Sequence, residues 1–497
     1  MRLARNVALG FAVLLAVQFE VLSSEITGER PNVLLIITDS MTNRVMAPET
    51  QCMTPHLDKL ATEGVRLHRY YTTNPACSPA RASIMTGTYP SKHHINGFVH
   101  APMVLWRTPP LNSELVFWSQ RLSEAGYTTT YFGKWHVEKT KNPKAYGFQE
   151  YQEEDRRRPK ARIPGSEVTL NKPGYPPRVL AGVEEEQGEP PTHPTFDNTI
   201  EFIRSRAQKD QPFCYVCTFA EPHLPAIPPK RFHDMYDVNQ VPLSPTLHSR
   251  LEGKSDYTRR LHSVFEFLSE DDWRQITTCY NAMVTFLDGE IGRVIAALKE
   301  HGIYDNTIII VTSDHGTMHG GHGLIGHLGA TPYEEAYNVP FIARGPGIKK
   351  RGEDHTSVAS HVDLGATLVD LCGAKGLPDT QGRSMRPILE GRTKTEDWQD
   401  AYAEHDSVVY LYTQRILWHG PWKYIYAPGG IDELYNIEAD AHEERNLAVD
   451  PEYRSMLEDM TRRMWKKMFA IDDKIMLLRG NELLQLMPVG PRPIEKE

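Results

Sequence analysis

Six ionisable side chains stand directly after short apolar runs rich in β-branched or aromatic residues, where each run ends. They are Asp39, Lys134, His136, His223, Asp314 and His315. Carboxylate oxygens suit a hard cation and borderline ions also accept imidazole, so Asp39, Asp314 and His315 form a candidate metal site. Lysine and histidine add donors for an oxyanion such as sulfate or phosphate. The alternatives are that a strand-end aspartate caps a helix and that His136 is an ordinary buried imidazole.

A seventh candidate, Cys77, begins the stretch "CSPARASIMTG". Pro79 suits the first turn of a helix because it lacks the N–H group that would be unpaired there. Cys77 would then lie at the anion-binding end of a helix, where the thiol pKa falls and the sulfur can act as a nucleophile or a metal ligand. A buried, inert cysteine at a loop–helix junction is the alternative.

The elements that must position these side chains alternate along the chain. Strand-like runs such as "NVLLIIT" and "TIIIVTS" are separated by helix-like segments, among them "NAMVTFLDGEIGRVIAALKEHG". This alternation predicts an α/β fold with a large, mostly parallel sheet covered by helices on both faces. Ligands bind such sheets at the carboxyl ends of the strands, so we expect the polar clusters to converge on one site.

Changes in amino-acid composition along the chain predict three parts. Residues 1–24 carry two arginines and then a short apolar stretch, which is typical of a secretory signal peptide. Residues 25–394 form the main catalytic domain, with a Pro-, Gly- and charge-rich surface insertion at 137–200. Residues 395–497 form a smaller α+β domain, with a hairpin around Gly429 and Gly430 followed by a helix.

Composition also limits the compartment and the partners. The chain has 497 residues, a net charge of −9 and no further apolar segment long enough to cross a bilayer. A global basic field is absent, so neither nucleic acid nor a stable membrane association is expected. The signal peptide and the absence of any Asn-x-Ser/Thr sequence favour export to a bacterial periplasm or medium.

Six cysteines are few and scattered for an exported chain of this length. Cys214 and Cys217 lie in the strand-like run "PFCYVCTFA", where residues three apart point to opposite faces. This spacing argues against a shared metal ion and predicts two buried core thiols.

Five ordered blocks resemble the type I sulfatases of the alkaline phosphatase superfamily, over about residues 31 to 448. They are "CSPARASIMTG", "GYTTTYFGKWH", "EPHLPAIPP", "TIIIVTSDHG" and "YEEAYNVPFIARGPG". The first is similar to the family's Cys-x-Pro-x-Arg signature, which directs oxidation of the cysteine to formylglycine (3-oxoalanine). The resemblance implies the alkaline phosphatase-like fold, a divalent metal ion that in the family is calcium (Ca²⁺), and a maturation enzyme that generates formylglycine as a partner.

Residue roles follow from the same resemblance. Formylglycine 77 would attack sulfur as a hydrated gem-diol, and loss of its second hydroxyl proton would release sulfate and restore the aldehyde. The implied roles are metal binding for Asp39, Asp314, His315 and residue 77, fixing of the nucleophile for Arg81, sulfate binding for Lys134, aldehyde regeneration for His136, and sulfate binding or leaving-group protonation for His223.

The sequence departs from the family pattern at two places. Asp39 is followed by Ser40, where most members have a second aspartate, so Ser40 or water would complete the metal shell. The family lysine that follows the "HG" block is also missing. His327 in "HGLIGHLGATPYEE" is the predicted replacement, and His322 is the other candidate, with a plain loop role as the alternative.

A polar rim is predicted around the site, and it suits a sulfated sugar better than a bare aryl group. Its candidate members are His93, His94, Asn96, His100, His405 and Arg415. Solvated loop residues are the alternative reading of all six. Exo-acting hydrolysis of a carbohydrate sulfate ester is therefore the predicted activity, with a sulfated saccharide as the partner.

Two other functions stay open at this stage. A phosphonate monoester or phosphodiester hydrolase of the same superfamily would also use formylglycine, and such enzymes also depart from the double aspartate. A catalytically idle protein that binds sulfated glycans would keep Cys77 as a thiol.

Overall fold

The computed structural model describes residues 30–99, 109–153, 162–174, 176–186, 191–326, 331–393, 397–406 and 412–477. The predicted signal peptide at 1–24 lies outside these ranges. Within the described residues, no helix combines the length and the apolar character needed to cross a bilayer.

A mixed sheet of eight strands organises the described residues, in the order β10-β2-β9-β8-β1-β7-β3-β4. Only β9 runs antiparallel to its described neighbours. The strands of the chain are β1 (Asn32–Thr38), β2 (Val65–Tyr71), β3 (Thr128–Gly133), β4 (Glu150–Glu153), β5 (Val168–Leu170), β6 (Arg178–Ala181), β7 (Phe213–Thr218), β8 (Thr307–Ser313), β9 (Phe341–Arg344), β10 (Gly352–Ser360), β11 (Asp400–Asp406), β12 (Thr413–His419), β13 (Trp422–Tyr426) and β14 (Glu433–Asn436).

Helices cover both faces of this sheet. They are α1 (Pro55–Glu63), α2 (Cys77–Thr86), α3 (Pro90–His93), α4 (Trp118–Glu124), α5 (Pro194–Arg206), α6 (Lys230–His233), α7 (Asp256–Phe265), α8 (Glu270–Glu300), α9 (Glu334–Tyr337), α10 (His361–Leu371), α11 (Arg386–Leu389) and α12 (Arg454–Ile471). Short 3₁₀ turns lie at Asn43–Met46, Pro48–Thr50, Pro143–Tyr146, Gly321–Gly323, Leu447–Val449 and Pro451–Tyr453. The predicted helix "NAMVTF…KEHG" begins earlier than expected, because Ser269 and Asp272 form a capping box that starts α8 at Glu270.

The central strand β1 shows why the sheet has two cores. Val33, Leu35 and Ile37 pack into the hydrophobic cluster on one face. Leu34 and Ile36, which alternate with them, pack into the cluster on the other face. A strand buried on both sides reads as one continuous apolar run, and this confirms the predicted α/β architecture with helices on both faces.

The two cysteines of β7 behave as the strand period predicts. Cys214 packs on one face of the sheet and Cys217 on the other, and both are fully buried. All six cysteines are free thiols.

A second, antiparallel sheet with the order β11-β12-β13-β14 follows the main sheet, and α12 packs against it. The predicted hairpin around Gly429 and Gly430 joins β13 to β14. The predicted α+β character of the C-terminal part is confirmed.

The segment 137–200 is more than the predicted surface insertion. Strand β4 pairs in parallel with β3 at the edge of the large sheet, and α5 begins at Pro194 and buries Phe196. The small hairpin of β5 and β6 belongs to the same segment. The sequence suggested an excursion because a four-residue edge strand is too short to show a pattern within a charge-rich stretch.

Candidate active site

Four neighbouring strands of the large sheet place the predicted polar clusters at one edge. Asp39 follows β1, and Asp314 with His315 follows β8. Because Thr38 of β1 is in parallel register with Ser313 of β8, the two aspartates lie side by side. The segments after β3 and β7, which flank β1 on its other side, supply Lys134, His136 and His223. The predicted convergence at the carboxyl edge is confirmed.

Cys77 lies at the start of α2 and faces these clusters. Its Sγ is 3.2 Å from His315 Nε2 and 3.8 Å from Asp39 Oδ1, and Lys134 Nζ donates to it at 3.5 Å. Cys77 is 2% exposed, and all ten residues of α2 are buried. The helix ends at Gly87, whose φ of 68° is the left-handed conformation that favours glycine.

The donor set fits a divalent metal ion. Asp39, Cys77, Asp314 and His315 each offer a ligand atom, and these atoms all lie within 4.8 Å of one another. His315 Nδ1 lies 2.8 Å from the Gly316 carbonyl oxygen, so Nδ1 carries the proton and Nε2 is left as the ligand atom. Two carboxylates and one imidazole suit a hard or borderline cation.

Ser40, which replaces the usual second aspartate, adopts a left-handed backbone with φ of 67°. Its hydroxyl donates to Asp39 Oδ1 at 3.0 Å, and its backbone N–H donates to Asp314 Oδ1 at 3.3 Å. Ser40 therefore holds both ligand carboxylates in place by hydrogen bonds.

Arg81, one turn into α2, ties this helix to the cluster of candidate metal ligands. Its Nε donates to Asp314 Oδ2 at 2.8 Å, and its Nη1 donates to the Lys134 carbonyl at 2.8 Å and to Thr218 Oγ1 at 2.6 Å. Its Nη2 lies 3.7 Å from Asp39 Oδ2 and makes no hydrogen bond. Arg81 thus links α2 to the ends of β3, β7 and β8.

Lys134 reaches the cluster because of the glycine before it. Gly133 has φ of 110°, and a Cβ there would lie 1.6 Å from the Thr218 carbonyl oxygen. Only glycine allows β3 to approach β7 this closely. Lys134 Nζ then donates to Asp39 Oδ2 as well as to the Cys77 sulfur.

The electrostatics of the pocket favour negative charge at residue 77. Burial and the Asp39 carboxylate oppose ionisation of Cys77, but Lys134, His315 and a hydrogen bond with His136 outweigh them and lower the thiol pKa to about 5. Burial disfavours the His315 cation, yet Asp314, Cys77 and Asp39 raise its pKa to about 9. Burial also opposes a charged Asp39, but Lys134 and the other cations hold its pKa well below the usual range.

The remaining two histidines lie at the same edge. His136 hydrogen-bonds Cys77, and burial lowers its pKa despite that contact. His223 is close enough to Asp39 to lower the carboxyl pKa. Its Nδ1 lies 2.6 Å from the Leu224 carbonyl oxygen, which favours the tautomer with the proton on Nδ1.

The predicted polar rim is wrong for three of its members. His93 is fully buried beneath α2, with Nε2 3.0 Å from Ser83 Oγ and Nδ1 accepting from the Ile95 N–H at 3.0 Å. His405 and Arg415 are buried on paired strands of the C-terminal sheet. Arg415 binds Asp473 at 2.6 Å and Asp406 at 2.9 Å, so it neutralises buried carboxylates instead of meeting a substrate.

The other predicted residues divide into three groups. His94 is exposed and Asn96 is half-buried in the segment after α3, which is compatible with a rim position. His322 is buried against the Tyr333 ring, with 4.2 Å between ring centroids, as its alternative structural role requires. His100 and His327 lie outside the described residues.

Asn74 is a site residue that the sequence reasoning missed. Its Oδ1 accepts from the Ala76 N–H at 3.0 Å, and its Nδ2 donates to the Glu404 carbonyl of β11 at 2.6 Å. The Glu404 N–H in turn donates to the Thr73 carbonyl at 2.9 Å. The C-terminal sheet therefore holds the loop before Cys77, and the "NPAC" sequence, typical of an Asx turn, is the signal that could have revealed it.

Comparison with known proteins agrees with this geometry. The family model described as Sulfatase matches residues 31–374. The chain belongs to the sulfatase family. A second model, described as N-sulphoglucosamine sulphohydrolase, C-terminal, matches residues 326–470 of this sulfatase.

Three relatives show the range of the similarity. The choline-sulfatase of Rhizobium meliloti is 28% identical over 451 residues, covering 86% of this chain and 84% of the relative. A structure in complex with its substrate D-glucosamine-2-N,6-O-disulfate has a TM-score of 0.69 at 24% identity, covering 89% of this chain and 98% of that one. The phosphonate monoester hydrolase of Silicibacter pomeroyi has a TM-score of 0.72 at 24% identity, covering 90% of this chain and 97% of that one. At this identity the two structures show that the chain shares their fold.

Proposed function

We propose that this sulfatase is an exo-acting sulfuric ester hydrolase of sulfated saccharides that uses formylglycine at position 77 and a divalent metal ion, calcium in the first instance. The observation that carries the proposal is the position of Cys77. Its sulfur lies at the buried start of α2, within reach of Asp39, Lys134 and His315. No other described cysteine has a comparable set of charged contacts, and burial raises the pKa of Cys52, Cys214, Cys217, Cys279 and Cys372.

The metal ion would be held by Asp39, Asp314 and His315 and would supply positive charge beside the sulfate ester, while formylglycine would supply a hydrated carbonyl as nucleophile. Lys134 presents its ammonium group to bind sulfate oxygens. Arg81 fixes α2 against the metal-binding carboxylate of Asp314. Two histidines handle protons: His136 contacts residue 77, and His223 offers Nε2 to sulfate or to the leaving oxygen.

Three arguments support a saccharide substrate. The disulfated glucosamine bound by the structural relative is a sulfated sugar. The segment after α3 adds polar side chains, since His94 is exposed and Asn96 is half-buried there. The C-terminal family model also carries the description of a glucosamine-directed sulphohydrolase. The choline-sulfatase relative defines the competing substrate, choline sulfate.

Export and maturation complete the proposal. The N-terminal sequence, which lies outside the described residues, supports a periplasmic or secreted location. A formylglycine-generating enzyme would be the maturation partner.

The decisive experiment is the mass of the peptide that contains Cys77, after co-expression with a maturation system. Conversion of the thiol to the aldehyde lowers the mass by about 18 Da. An unmodified thiol in an active preparation would overturn the mechanism. Activity lost on chelation and restored best by Ca²⁺ would support the metal assignment, whereas full activity without any metal ion would contradict it.

A phosphonate monoester or phosphodiester hydrolase is the second candidate, because Ser40 departs from the usual double aspartate. The test compares turnover of an aryl sulfate, an aryl phosphodiester, choline sulfate and defined sulfated mono- and disaccharides. Dominant diesterase activity would contradict the proposal that the enzyme hydrolyses sulfate esters. Dominant turnover of choline sulfate would contradict only the proposed saccharide substrate.

A further inference from the structure

A basic groove lies away from Cys77, between the start of α10 and the helix α12. Its volume is about 360 Å³, and its lining includes Arg383, Arg463, Lys466 and Lys467. Tyr89, three residues beyond the end of α2, also lines it. Since α2 has ten residues and is about 15 Å long, the groove lies at the opposite end of that helix from the nucleophile.

The charges in this groove are only partly neutralised. Arg463 pairs with Asp459 at 2.7 Å, but among the described residues Lys466, Lys467 and Arg383 form no ion pair with a carboxylate. Lys467 Nζ lies 4.9 Å from the centroid of the Tyr89 ring, and the Arg383 guanidinium lies 3.7 Å from that of Trp398. Aromatic faces hold both cations in the groove without cancelling their charge.

Two acidic residues also line the groove, and both have partners of their own. Asp363 caps α10 by accepting from the Ser360 N–H at 2.8 Å and also accepts from the Arg383 N–H at 2.9 Å. Its carboxylate also feels the charges of Arg383 and Lys467. Asp400 pairs with His419. With Asp459 paired to Arg463, four cations are set against three carboxylates, on a protein whose net charge is −9. A local excess of positive charge attracts anions against the overall field.

One exposed aromatic side chain accompanies these cations. Phe469 is 46% exposed and lies three residues after Lys466 on α12. Its ring is beside the groove and not among the lining residues, and it stacks on Trp465 with 5.9 Å between centroids. An aromatic ring beside cationic donors offers an apolar platform for a sugar ring and partners for its sulfate or carboxylate groups. A volume of 360 Å³ is within the usual range of small-ligand sites.

We propose that this groove is a second saccharide-binding site, which holds an anionic stretch of a sulfated oligosaccharide away from the catalytic pocket. The inference rests on the proposed saccharide specificity, and it adds a contact for the part of the chain that is not being hydrolysed. A concave groove with inward-facing cations suits a narrow anionic strand better than a flat lipid surface. Binding there would lower KM for long substrates and leave small sulfate esters unaffected.

The test uses Cys77→Ala protein, so that binding is measured without turnover. A fluorescently labelled heparin-derived hexasaccharide is the probe, and anisotropy gives its Kd. Lys466→Ala/Lys467→Ala should raise that Kd about tenfold, as expected for loss of two cationic contacts. Lys209→Ala/Arg250→Ala, which removes two exposed charges elsewhere, is the matched control and should leave the Kd unchanged. An unchanged Kd in the first variant, or equal losses in both, overturns the proposal.

Two further measurements separate the possible failures. In the active enzyme, the lysine variant should keep its kcat/KM for 4-methylumbelliferyl sulfate and show a raised KM for the hexasaccharide. Lysine-dependent binding to phosphatidylglycerol vesicles without lysine-dependent saccharide binding would assign the groove to a membrane and refute the inference. If the enzyme binds the saccharide through these lysines but desulfates no saccharide, the proposed function is refuted and the groove inference stands.

Discussion

Among the described residues, two arginines with fully buried side chains, Arg81 in the candidate active site and Arg415 in the C-terminal sheet, each lie against two aspartates. Arg415 donates to both carboxylate oxygens of Asp473 and to Asp406. Arg81 donates to Asp314 but leaves Nη2 without a hydrogen bond, 3.7 Å from Asp39. Both arginines have a pKa raised above the ordinary value by these carboxylates against the effect of burial.

The difference lies in what surrounds the carboxylates. Around Arg81, Asp39 and Asp314 converge with Cys77 and His315 so that four ligand atoms lie within 4.8 Å of one another. Around Arg415, the Asp473 carboxylate accepts from the arginine and from the Tyr402 hydroxyl, which is 3.0 Å away. Buried charge therefore does not identify a candidate site by itself, whereas the convergence of four possible ligand atoms does.

The largest expected effect is on turnover, which should depend on Cys77 and not on the other buried cysteines. Cys77→Ala should reduce sulfate ester turnover by about 10⁴-fold or more, because the nucleophile is lost. Its melting temperature should change little, since the thiol adds little to core packing. Cys372→Ala, at another buried thiol, is the control and should retain turnover. Marked unfolding of Cys77→Ala would instead give Cys77 a structural role.

The comparison of the two arginines can be tested directly. Arg81→Met should lower kcat by about 10³-fold, because α2 and Asp314 lose their link at the reacting centre. Arg415→Met should lower the free energy of unfolding by about 3 to 5 kcal/mol, because Asp473 and Asp406 remain buried without a cation. Turnover per folded molecule should be nearly normal in the second variant. If both variants lose kcat equally, the proposed division between catalytic and structural clusters is wrong.

Two buried asparagines, Asn74 and Asn446, test the same division between the candidate site and the C-terminal part, with a smaller expected effect on kcat. Asn74→Ala should reduce kcat about tenfold with little change in KM, because the loop before Cys77 loses its contact with β11. Asn446→Ala removes a similar set of bonds away from Cys77, in which Oδ1 accepts from Leu434 and Ala448 and Nδ2 donates to Gly253 and Asp432, and it should affect stability alone. Asn74→Asp retains the acceptor for Ala76 and should recover part of kcat. Equal kcat in the two alanine variants would contradict a positioning role.

The smallest expected effect is on the pH dependence of stability, through Glu404. Burial, with Asp473 and Asp406 nearby and Arg415 opposing, raises the pKa of Glu404 to about 8. Its folded-state pKa lies above the unfolded value, so its contribution to stability is lost as the pH rises from about 5 to 8. Glu404→Gln, which mimics the protonated form, should flatten the fall of melting temperature over that range. If the melting temperature of the variant falls as steeply with pH as that of the wild type, Glu404 is not the cause of the fall.

Much of the fold and of the reacting centre was predictable. The runs "NVLLIIT" and "TIIIVTS" read as doubly buried strands, and the residues that follow them had to meet because the carboxyl ends of parallel strands share one edge. The side chains that the structure brings together around Cys77 are those expected there. The family resemblance added the roles that residue types alone leave open.

The failures have a common physical cause. The sequence predicts that His405 and Arg415 belong to a polar rim, because it shows their polar character but not their burial. The partner that buries Arg415, Asp473, is 58 residues away along the chain. His93 looked like one of a polar cluster, but it packs under α2 as an acceptor for Ile95. Burial of a polar side chain depends on distant partners, and a single sequence does not reveal them.

The complete burial of α2 bears on how the protein is made. Every residue from Cys77 to Thr86 is enclosed, and Arg81 anchors the helix to three strands. A modifying enzyme has no access to the Cys77 side chain once this core has closed. On the proposed mechanism, conversion to formylglycine would therefore have to precede folding, and a molecule that folded before it was modified would stay inactive.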